Sequence, residues 1–242
     1  MASEVLVKAS KINQRKKLAK IAKITSVSIF GFFATSFVVL SIIFKGGKFT
    51  ISLDTGKKKD NNLIIYDSVD DPTLKRQMYA DEMPFMDNIS IKWLPKDIDT
   101  EKDGSHNGAN YIAYTFYVEN TGKETVNYWY EVIVDSVIKS VDDAIRIMIY
   151  VNGDKNVYAK TNEATGLPEE GTEPFYDETK GSKEYAAVVE KRENVKVGDR
   201  DRITVVIWLE GPDPECIDKI IGGKFKIDMR LSAIPNDEDR KK

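Results

Sequence analysis

Residues 110–136 read NYIAYTFYVENTGKETVNYWYEVIVDS, and the alternation of side chains in this stretch decides the fold. Apolar residues recur at every second position on both sides of Asn120-Thr121-Gly122, which is the period of a half-buried β-strand. The expected inward-facing residues are Ile112, Tyr114, Phe116 and Val118 before this turn, and Val126, Tyr128, Tyr130, Val132 and Val134 after it. Two strand-like segments around a glycine-containing loop predict a β-hairpin.

The same period of two recurs elsewhere. A second hairpin is predicted at Asn152-Gly153, because this dipeptide favours the tight turn between paired strands. A short helix is predicted at 72–82, a strand at 88–94, and long loops at 95–110 and 160–181. Further alternating rows are Phe49, Ile51 and Leu53, then Ile203, Val205, Ile207 and Leu209, and finally Phe225, Ile227, Met229 and Leu231. About eight to ten short strands with little helical period predict an all-β ectodomain, built as an antiparallel β-sandwich or jelly roll.

Residues 25–44, TSVSIFGFFATSFVVLSIIF, contain no formal charge. A helix of this length is about 30 Å long, which is the thickness of the hydrocarbon core of a bilayer. Seven basic residues and one acidic residue precede Thr25, whereas 29 basic and 38 acidic residues follow. The positive-inside rule then places residues 1–24 in the cytoplasm and the body outside the cell. We therefore predict one N-terminal transmembrane helix in the cell membrane, with the lipid bilayer contacting Thr25 to Phe44.

The length of this apolar run favours a retained anchor over a removable signal peptide. It exceeds the apolar region of a signal peptide, and Phe44-Lys45-Gly46 is a poor cleavage site. Cleavage at Ala34-Thr35-Ser36 is the alternative, and it would release the body as a secreted protein. The predicted organisation is a basic cytoplasmic segment at 1–24, a transmembrane helix at 25–44, a linker with a short strand at 45–62, a β-sandwich ectodomain at 63–234 and a charged tail at 235–242.

The residue inventory excludes several kinds of chemistry. His106 is the single histidine, so a zinc protease with an HExxH motif, which needs two, is excluded. A Ser-His-Asp triad would have to use this residue, which is expected to be solvated in the loop KDGSHNGAN. Cys216 is the single cysteine, and the acids beside it disfavour a reactive thiolate. The body has a net negative charge, whereas contacts to phosphates need clustered Lys and Arg, so we expect no nucleic-acid partner. Because no residue cluster forms a convincing active site, we also expect no catalysis.

Two sets of residues remain as binding candidates. Acids that could offer oxygen ligands to calcium are Asp67, Asp70 and Asp71, then Asp97, Asp99, Glu101 and Asp103, then Asp213, Glu215 and Asp218. Such runs are usually solvated loops, so no metal or other cofactor is predicted. The aromatic residues that point away from the inward rows are Tyr111, Tyr117, Trp129 and Trp208. They are interpreted as a possible interaction surface, and the alternative is that they stack across strands or pack beneath the long loop.

Two stretches, NYIAYTFYVENTGKETVNYWYEV and VVIWLEGPDPECIDKIIGGKFKIDMRL, carry a resemblance to known proteins. They resemble exported proteins of low-GC Gram-positive bacteria, whose β-sandwich bodies are similar to those of camelysin and the TasA biofilm-fibre subunits. The recurring pattern W-x-E-G-x-D-P-x-C corresponds here to Trp208, Glu210, Gly211, Asp213, Pro214 and Cys216. The resemblance implies fold and export. The basic leader departs from the fibre subunits, which are released, and no catalytic motif here matches the proteolytic activity ascribed to camelysin.

Three functions are compatible with these patterns. The leading prediction is a single-pass cell-surface β-sandwich protein with a structural or protein-interaction role, whose partners are other surface proteins or further copies of itself. The first alternative is a secreted fibre or biofilm-matrix subunit assembled by strand donation. The second alternative is an extracellular hydrolase that uses two carboxylates in an open cleft.

Overall fold

The computed structural model describes residues 18, 20–26, 28–36, 49–54, 63–176 and 185–233. The chain divides into two compact units, Met1–Lys45 and Gly46–Lys242. In the first unit the described residues from 20 to 36 are helical, and within the described part of the chain no helix is long and apolar enough to cross a membrane. Val27 and residues 37–44 of the predicted transmembrane segment, most of the predicted linker and the predicted tail lie outside the described residues.

The described part of the second unit is built from strands. In chain order they are β1 (Thr50–Asp54), β2 (Leu63–Tyr66), β3 (Gln77–Tyr79), β4 (Asn88–Ile89), β5 (Gly104–Ser105), β6 (Tyr111–Asn120), β7 (Val126–Ile138), β8 (Ile145–Val151), β9 (Asp154–Ala159), β10 (Glu173–Pro174), β11 (Tyr185–Val195), β12 (Arg200–Glu210) and β13 (Lys224–Ser232). Sheet A has the order β11-β7-β13-β1-β3, and sheet B the order β10-β9-β8-β12-β6-β2. In addition, β4 pairs with β12 and β5 pairs with β6. The all-β prediction is confirmed.

The inner faces of the two sheets share one hydrophobic core. The predicted inward rows are confirmed, since this core contains Tyr114, Phe116, Val118, Tyr128, Tyr130, Val132, Val134, Ile203, Val205, Ile207, Ile227, Met229 and Leu231. Ile112, Val126, Leu209 and Phe225 pack against it while only partly buried. Fully burying one such side chain stabilises the fold by about 1.5–3 kcal/mol, so these rows explain why the strands associate.

Both sheets are mixed, so the prediction of a purely antiparallel arrangement is wrong. β1 runs parallel to β13, β10 runs parallel to β9, and β4 runs parallel to β12. Each parallel pair joins strands that are separated in the chain by a crossover rather than a tight turn. Alternation of side chains fixes which face of a strand is buried, but it carries no information about the direction of the neighbouring strand.

The predicted hairpin between β6 and β7 does not form. β6 lies in sheet B between β12 and β2, whereas β7 lies in sheet A between β11 and β13. Both strands direct their apolar rows into the shared core, and they do so from opposite sides. Residues 121–125 therefore carry the chain from one sheet to the other instead of reversing it within a sheet.

Asn120, at the end of β6, stabilises this connection between the sheets through hydrogen bonds. Its side chain is buried, and its Nδ2 donates to the carbonyl oxygens of Glu124 at 2.8 Å and Val195 at 2.9 Å. Its Oδ1 accepts the backbone N–H of Gly122 at 3.0 Å. Its backbone carbonyl also accepts the N–H of Gly198 at 2.8 Å, in the turn that leads from β11 in sheet A to β12 in sheet B. One residue thus joins two neighbouring crossings between the sheets.

The second predicted hairpin is confirmed. β8 and β9 pair in antiparallel register around Asn152-Gly153, with φ of 54° and 93° at these two residues. Positive φ at both central positions is the geometry that Asn-Gly favours. The Asn152 side chain adds a structural role, because its Oδ1 accepts the N–H of Arg202 at 2.8 Å.

Residues 72–98 differ most from expectation. The helix predicted at 72–82 is absent, and this part contains the short edge strand β3. The strand predicted at 88–94 is limited to β4, followed by a 3-10 turn at Ile91–Trp93. Residues 88–98 then lie over the outer face of sheet B and bury Ile89, Leu94 and Ile98 against it in a second hydrophobic cluster. We call residues 83–98 the strap.

Replacing Asn120 by alanine should destabilise the body by about 1–3 kcal/mol. The carbonyl oxygens of Val195 and Glu124 would lose their donor, and the N–H of Gly122 would lose its acceptor. Thermal or denaturant unfolding of the purified protein measures the change. Lys155→Ala, at an exposed position of β9, is the control and should change stability by less than about 0.5 kcal/mol. Equal effects of the two substitutions would contradict the role given to Asn120.

Candidate functional site

Three carboxylates converge near the end of β12. Asp213 and Glu215 lie in the turn that follows β12, and Glu169 lies in the loop between β9 and β10. One carboxylate oxygen of each lies within 4.8 Å of the others. Asn162 Nδ2 donates to Glu169 at 2.9 Å and to Glu215 at 3.5 Å, which ties the loop to the turn. We call Glu169, Asp213 and Glu215 the acidic cluster.

Arg146, at the start of β8, partly neutralises the acidic cluster. Its Nη2 donates to Asp213 Oδ2, and the Asp213 side chain is fully buried. Glu215 accepts the backbone N–H of Glu163 at 3.1 Å. Burial raises the pKa of Glu215, and its hydrogen bond and charge contact with Asp213 raise it further. The cluster is therefore less negative than three independent carboxylates would be.

This chemistry fits a calcium ion poorly. Calcium takes about six to eight oxygen ligands, whereas the cluster offers three carboxylates, one of which already binds Arg146. The structure brings together Asp213 and Glu215 of the acids chosen from the sequence, and Asp218 is not part of the cluster. Glu169 was missed, because nothing in the sequence signals that its loop folds back onto the turn after β12. That no metal binds at these acids stays a prediction.

Other acids chosen from the sequence act as internal acceptors. Asp67 accepts hydrogen bonds from Lys75 and from the hydroxyl of Tyr114, the latter at 3.1 Å. Asp103 accepts the hydroxyl of Tyr117 at 2.7 Å and the N–H of Val69 at 3.3 Å. The Asp103 contacts hold the loop at 95–110 against β6 and the turn after β2, and the Asp67 contacts join β6 to the segment after β2.

Trp208 and Tyr111 lie beneath the strap, so they do not form an exposed surface. Trp208 is 0% exposed, belongs to the second hydrophobic cluster, and donates its Nε1–H to Glu210 at 2.7 Å. Tyr111 is its cross-strand neighbour and packs against the same cluster. A Cβ at Gly108 would lie 2.1 Å from the Tyr111 ring, so only glycine allows this close approach. These two residues pack beneath the strap, most of which precedes the loop at 95–110 that the sequence analysis named as a cover.

Tyr117 and Trp129 lie in different sheets. Tyr117 is 7% exposed and stacks on Tyr66 with 5.4 Å between ring centroids, and the Arg200 guanidinium lies 5.9 Å from its ring. Trp129 lies on β7 in sheet A, with Lys191 Nζ 5.6 Å from its ring centroid. The four aromatic residues therefore do not form one continuous surface.

The structure exposes aromatic residues that the sequence pattern assigned to other roles. Phe85 and Trp93 are each 75% exposed on the strap, and Ile91 is 38% exposed. Ile91 and Trp93 belong to the stretch 88–94, which the sequence pattern predicts to be a strand. The 3-10 turn at 91–93 breaks the alternation and directs its apolar side chains outward, which period-two reasoning does not detect.

The single histidine and the single cysteine have structural surroundings. His106 is partly buried, with Nδ1 2.9 Å from the carbonyl oxygen of Gly104 and Nε2 3.1 Å from that of Ile98, so it does not project freely from a solvated loop. Cys216 is half-buried, and burial raises the pKa of its thiol. Asn88 Nδ2 lies 3.5 Å from its Sγ. Among the described residues, their hydrogen-bond contacts are with backbone carbonyls for His106 and with an amide for Cys216.

A second buried carboxylate, Asp201 on β12, is fully satisfied. It accepts hydrogen bonds from the Tyr128 hydroxyl at 2.7 Å, from Asn152 Nδ2 at 2.6 Å and from Arg192 Nη2 at 2.8 Å. Burial alone would raise the pKa of Asp201, but these donors outweigh it and hold the pKa below its usual range. This group links β7, β11 and β12 across the two sheets.

Removing the Arg146 guanidinium should show how much the buried charge of the acidic cluster lowers the free energy of unfolding. Arg146→Met leaves Asp213 charged, buried and unpaired, and should destabilise the body by about 3–5 kcal/mol. The double variant Arg146→Met/Asp213→Leu removes both charges and should recover most of that loss. Denaturant unfolding of the three proteins measures both effects. A double variant no more stable than the single one would contradict a predominantly electrostatic cost.

Neither a protein-family model nor a curated protein sequence matches this chain. Among solved structures, it is similar to a crystal structure of the β-glucosidase from Kluyveromyces marxianus in complex with glucose, with a TM-score of 0.25, 14% identity, and coverage of 74% of this chain and 16% of that one. A selenomethionine-labelled crystal structure of the same enzyme gives a TM-score of 0.26, 14% identity, and coverage of 78% and 19%. The chain spans less than a fifth of the length of that enzyme, and similarity at this level establishes neither fold nor activity.

Proposed function

We propose that this protein is a single-pass cell-surface protein whose two-sheet body is a β-sandwich that binds a partner outside the cell. The observation that carries the interaction role is the 75% exposure of both Phe85 and Trp93 on the strap. Large aromatic side chains at this exposure are costly to leave in water, and tryptophan is strongly enriched among residues that dominate binding energy. The strap, rather than the four aromatic residues chosen from the sequence, is the proposed interaction surface.

The strap is held firmly enough to present these side chains in one geometry. The backbone N–H of Ile91 donates to Glu210 Oε2 at 3.0 Å, and the N–H of Gly211 donates to the carbonyl oxygen of Ile89 at 2.9 Å. Ser90 caps the 3-10 turn by accepting the N–H of Lys92 at 3.3 Å. A surface ordered before binding loses less conformational entropy on association, which favours affinity.

The sequence supports the membrane anchor. An uncharged run of twenty residues at 25–44 follows a segment with seven basic residues, and the body that follows is acidic. The acidic body also suits a location away from anionic lipid headgroups. Retention of this segment makes the protein an anchored module and not a released subunit.

The edges of the described sheets disfavour the fibre alternative. β3 has three residues, β2 has four and β10 has two, one of which is Pro174. The long edge strand β11 carries two register shifts and a charged stretch at 190–193, and the N–H of Tyr176 already bonds to the carbonyl of Ala187. Short, charged or bulged edges oppose the addition of a strand from another chain.

The two-carboxylate hydrolase alternative gains no support from the acidic cluster. Its members are close enough for glycoside chemistry, but Asp213 is fully buried and bound to Arg146. A substrate would have to displace that ion pair before reaching the carboxylate.

The anchor is tested by the N-terminus and by access from outside. Mass spectrometry of the mature protein should find Met1 or Ala2 in the membrane fraction, and protease added to intact cells should digest the body. A cytoplasmic enzyme monitored in the same cells controls for lysis. A chain that starts near Phe37 or Lys45 in the medium would favour the secreted alternative, and a body spared on intact cells would contradict the orientation.

The strap is tested by photo-crosslinking on intact cells. A photoreactive phenylalanine analogue at position 93 should give a discrete adduct, whereas the same group at position 176, where Tyr176 is 69% exposed, should not. Phe85→Ala should reduce the yield of the position-93 adduct by tenfold or more, as loss of about 1.4 kcal/mol requires. Equal crosslinking at both positions, or an adduct unaffected by Phe85→Ala, would rule out the strap as the interaction surface.

A further inference from the structure

Two aspartates meet on the outer face of sheet A. Asp135 lies on β7 and Asp228 on the neighbouring strand β13, and the register between these strands shifts between Lys226 and Ile227. Ser136 is opposite Lys226 and Val134 is opposite Ile227, so Asp135 is the extra residue of a β-bulge. The bulge sets Asp135 across from the interval between Lys226 and Asp228, and all three side chains are on the outer face.

The surroundings of Asp228 are unusual for a carboxylate. Its Oδ1 is buried and has no hydrogen-bond donor among the described residues. A buried carboxylate oxygen without a donor is costly, and the same carboxyl group is in hydrogen-bond contact with a second carboxyl group, that of Asp135. A proton held between the two carboxyl groups supplies the donor for this contact and removes the repulsion between two negative charges.

The two cations near this carboxyl pair both lie beside Asp135. Lys226 Nζ lies 2.5 Å from Asp135 Oδ2, and Arg230 Nη2 lies 4.0 Å from Asp135 Oδ1. Both cations thus bind Asp135, which favours its charged form. On the other side β1 contributes Thr50, which contacts Asp228, with Tyr79 of β3 next along the register, and Glu131 of β7 faces Arg230. Asp135 is therefore the partner that stays charged, and Asp228 the partner that holds the proton.

We propose that Asp135 and Asp228 form a proton-sharing carboxyl pair, which makes the association of β13 with β7 and β1 more stable in mild acid than at neutral pH. β13 is the central strand of sheet A, and the register places Asp228 beside Thr50, the first residue of β1. Loss of the shared proton leaves two adjacent carboxylates and a buried oxygen without a donor. The weakened contact lies where the first strand of the body joins its sheet.

The pKa directions agree with this geometry and fix the sign of the effect. Burial raises the pKa of Asp228, and the hydrogen bond and charge of Asp135 raise it further. A raised pKa means that the stabilisation is present when the group is protonated and is lost as pH rises through that value. Burial also opposes ionisation of Asp135, but hydrogen bonds with Lys226 and Asp228 outweigh it and hold the pKa of Asp135 below its usual range. Its contribution is lost as pH falls through that lower value, so the singly protonated pair is favoured between the two.

The test compares Asp228→Asn with the full-length protein in detergent across pH 4 to 8. The asparagine carries a fixed N–H donor and no charge, so it mimics the protonated partner at every pH. Its melting temperature should match that of the unaltered protein at the acid end and exceed it by about 2–4 °C at pH 8, the shift that 1 kcal/mol produces in a domain of this size. Asp154→Asn, at an exposed position of β9, is the matched control and should show no such pH-dependent difference.

Other groups also make the melting temperature depend on pH, including Glu215, whose pKa is raised as well. Because these groups are the same in every variant, their contributions cancel when the variants are compared. Asp135→Asn should likewise flatten the pH dependence, because it leaves Asp228 with an amide donor. Carbon-13 NMR titration of the aspartate carboxyl groups in the unaltered protein gives a readout independent of variant folding. A melting difference constant from pH 4 to 8, or titration of both carboxyl groups as independent ordinary aspartates near about 3.9, would overturn the proposal.

Discussion

The fold depends on crossing between two sheets without leaving buried backbone groups unsatisfied. β6 and β7, and likewise β11 and β12, are consecutive strands that lie in opposite sheets, and their two connections are among several that pass between the sheets. Each crossing brings carbonyl and N–H groups to the edge of a dry interior, where an unpaired group is costly. The Asn120 amide bonds to both crossings. This polar junction satisfies backbone groups at two places where the chain passes beside the shared core.

The covered face of sheet B connects this core to the proposed function. Sheet B is apolar on both faces, since Trp208 and Met148 project opposite to Ile207 and Ile147. The strap shields that outer face, and Glu210 fixes it by accepting hydrogen bonds from both Trp208 and Ile91. A segment held so closely at 88–91 has little freedom to turn its remaining apolar side chains inward. The exposure of Trp93 is thus a consequence of how the second hydrophobic cluster is closed.

The sequence predicted well which face of each strand is buried, and it predicted poorly which strands pair with each other. Alternation identified the buried rows of β6, β7, β12 and β13, because burial acts on each residue locally. It paired β6 with β7, because a glycine-containing turn looks the same whether it joins two strands in one sheet or crosses between two. Glu169 joined the acidic cluster through a loop whose path depends on tertiary contacts. The aromatic residues illustrate both limits. Their outward direction was predicted correctly, but the alternation at 88–94 predicted a strand and did not show that this segment covers Trp208.

Three aspartates of the body are stabilised in three different ways, and the differences follow from the available donors. Asp213 binds one guanidinium, and Asp201 has donors from strands β7 and β11 and from the turn between β8 and β9. The donors around Asp201 favour its charged carboxylate and lower its pKa, so this junction is strongest when Asp201 is ionised. Asp228 has no donor at its buried Oδ1, and its neighbour is another acid. Rising pH therefore strengthens the junction around Asp201 and weakens the contact between Asp135 and Asp228. The centre of sheet A thus responds to acid in the opposite direction from the junction around Asp201.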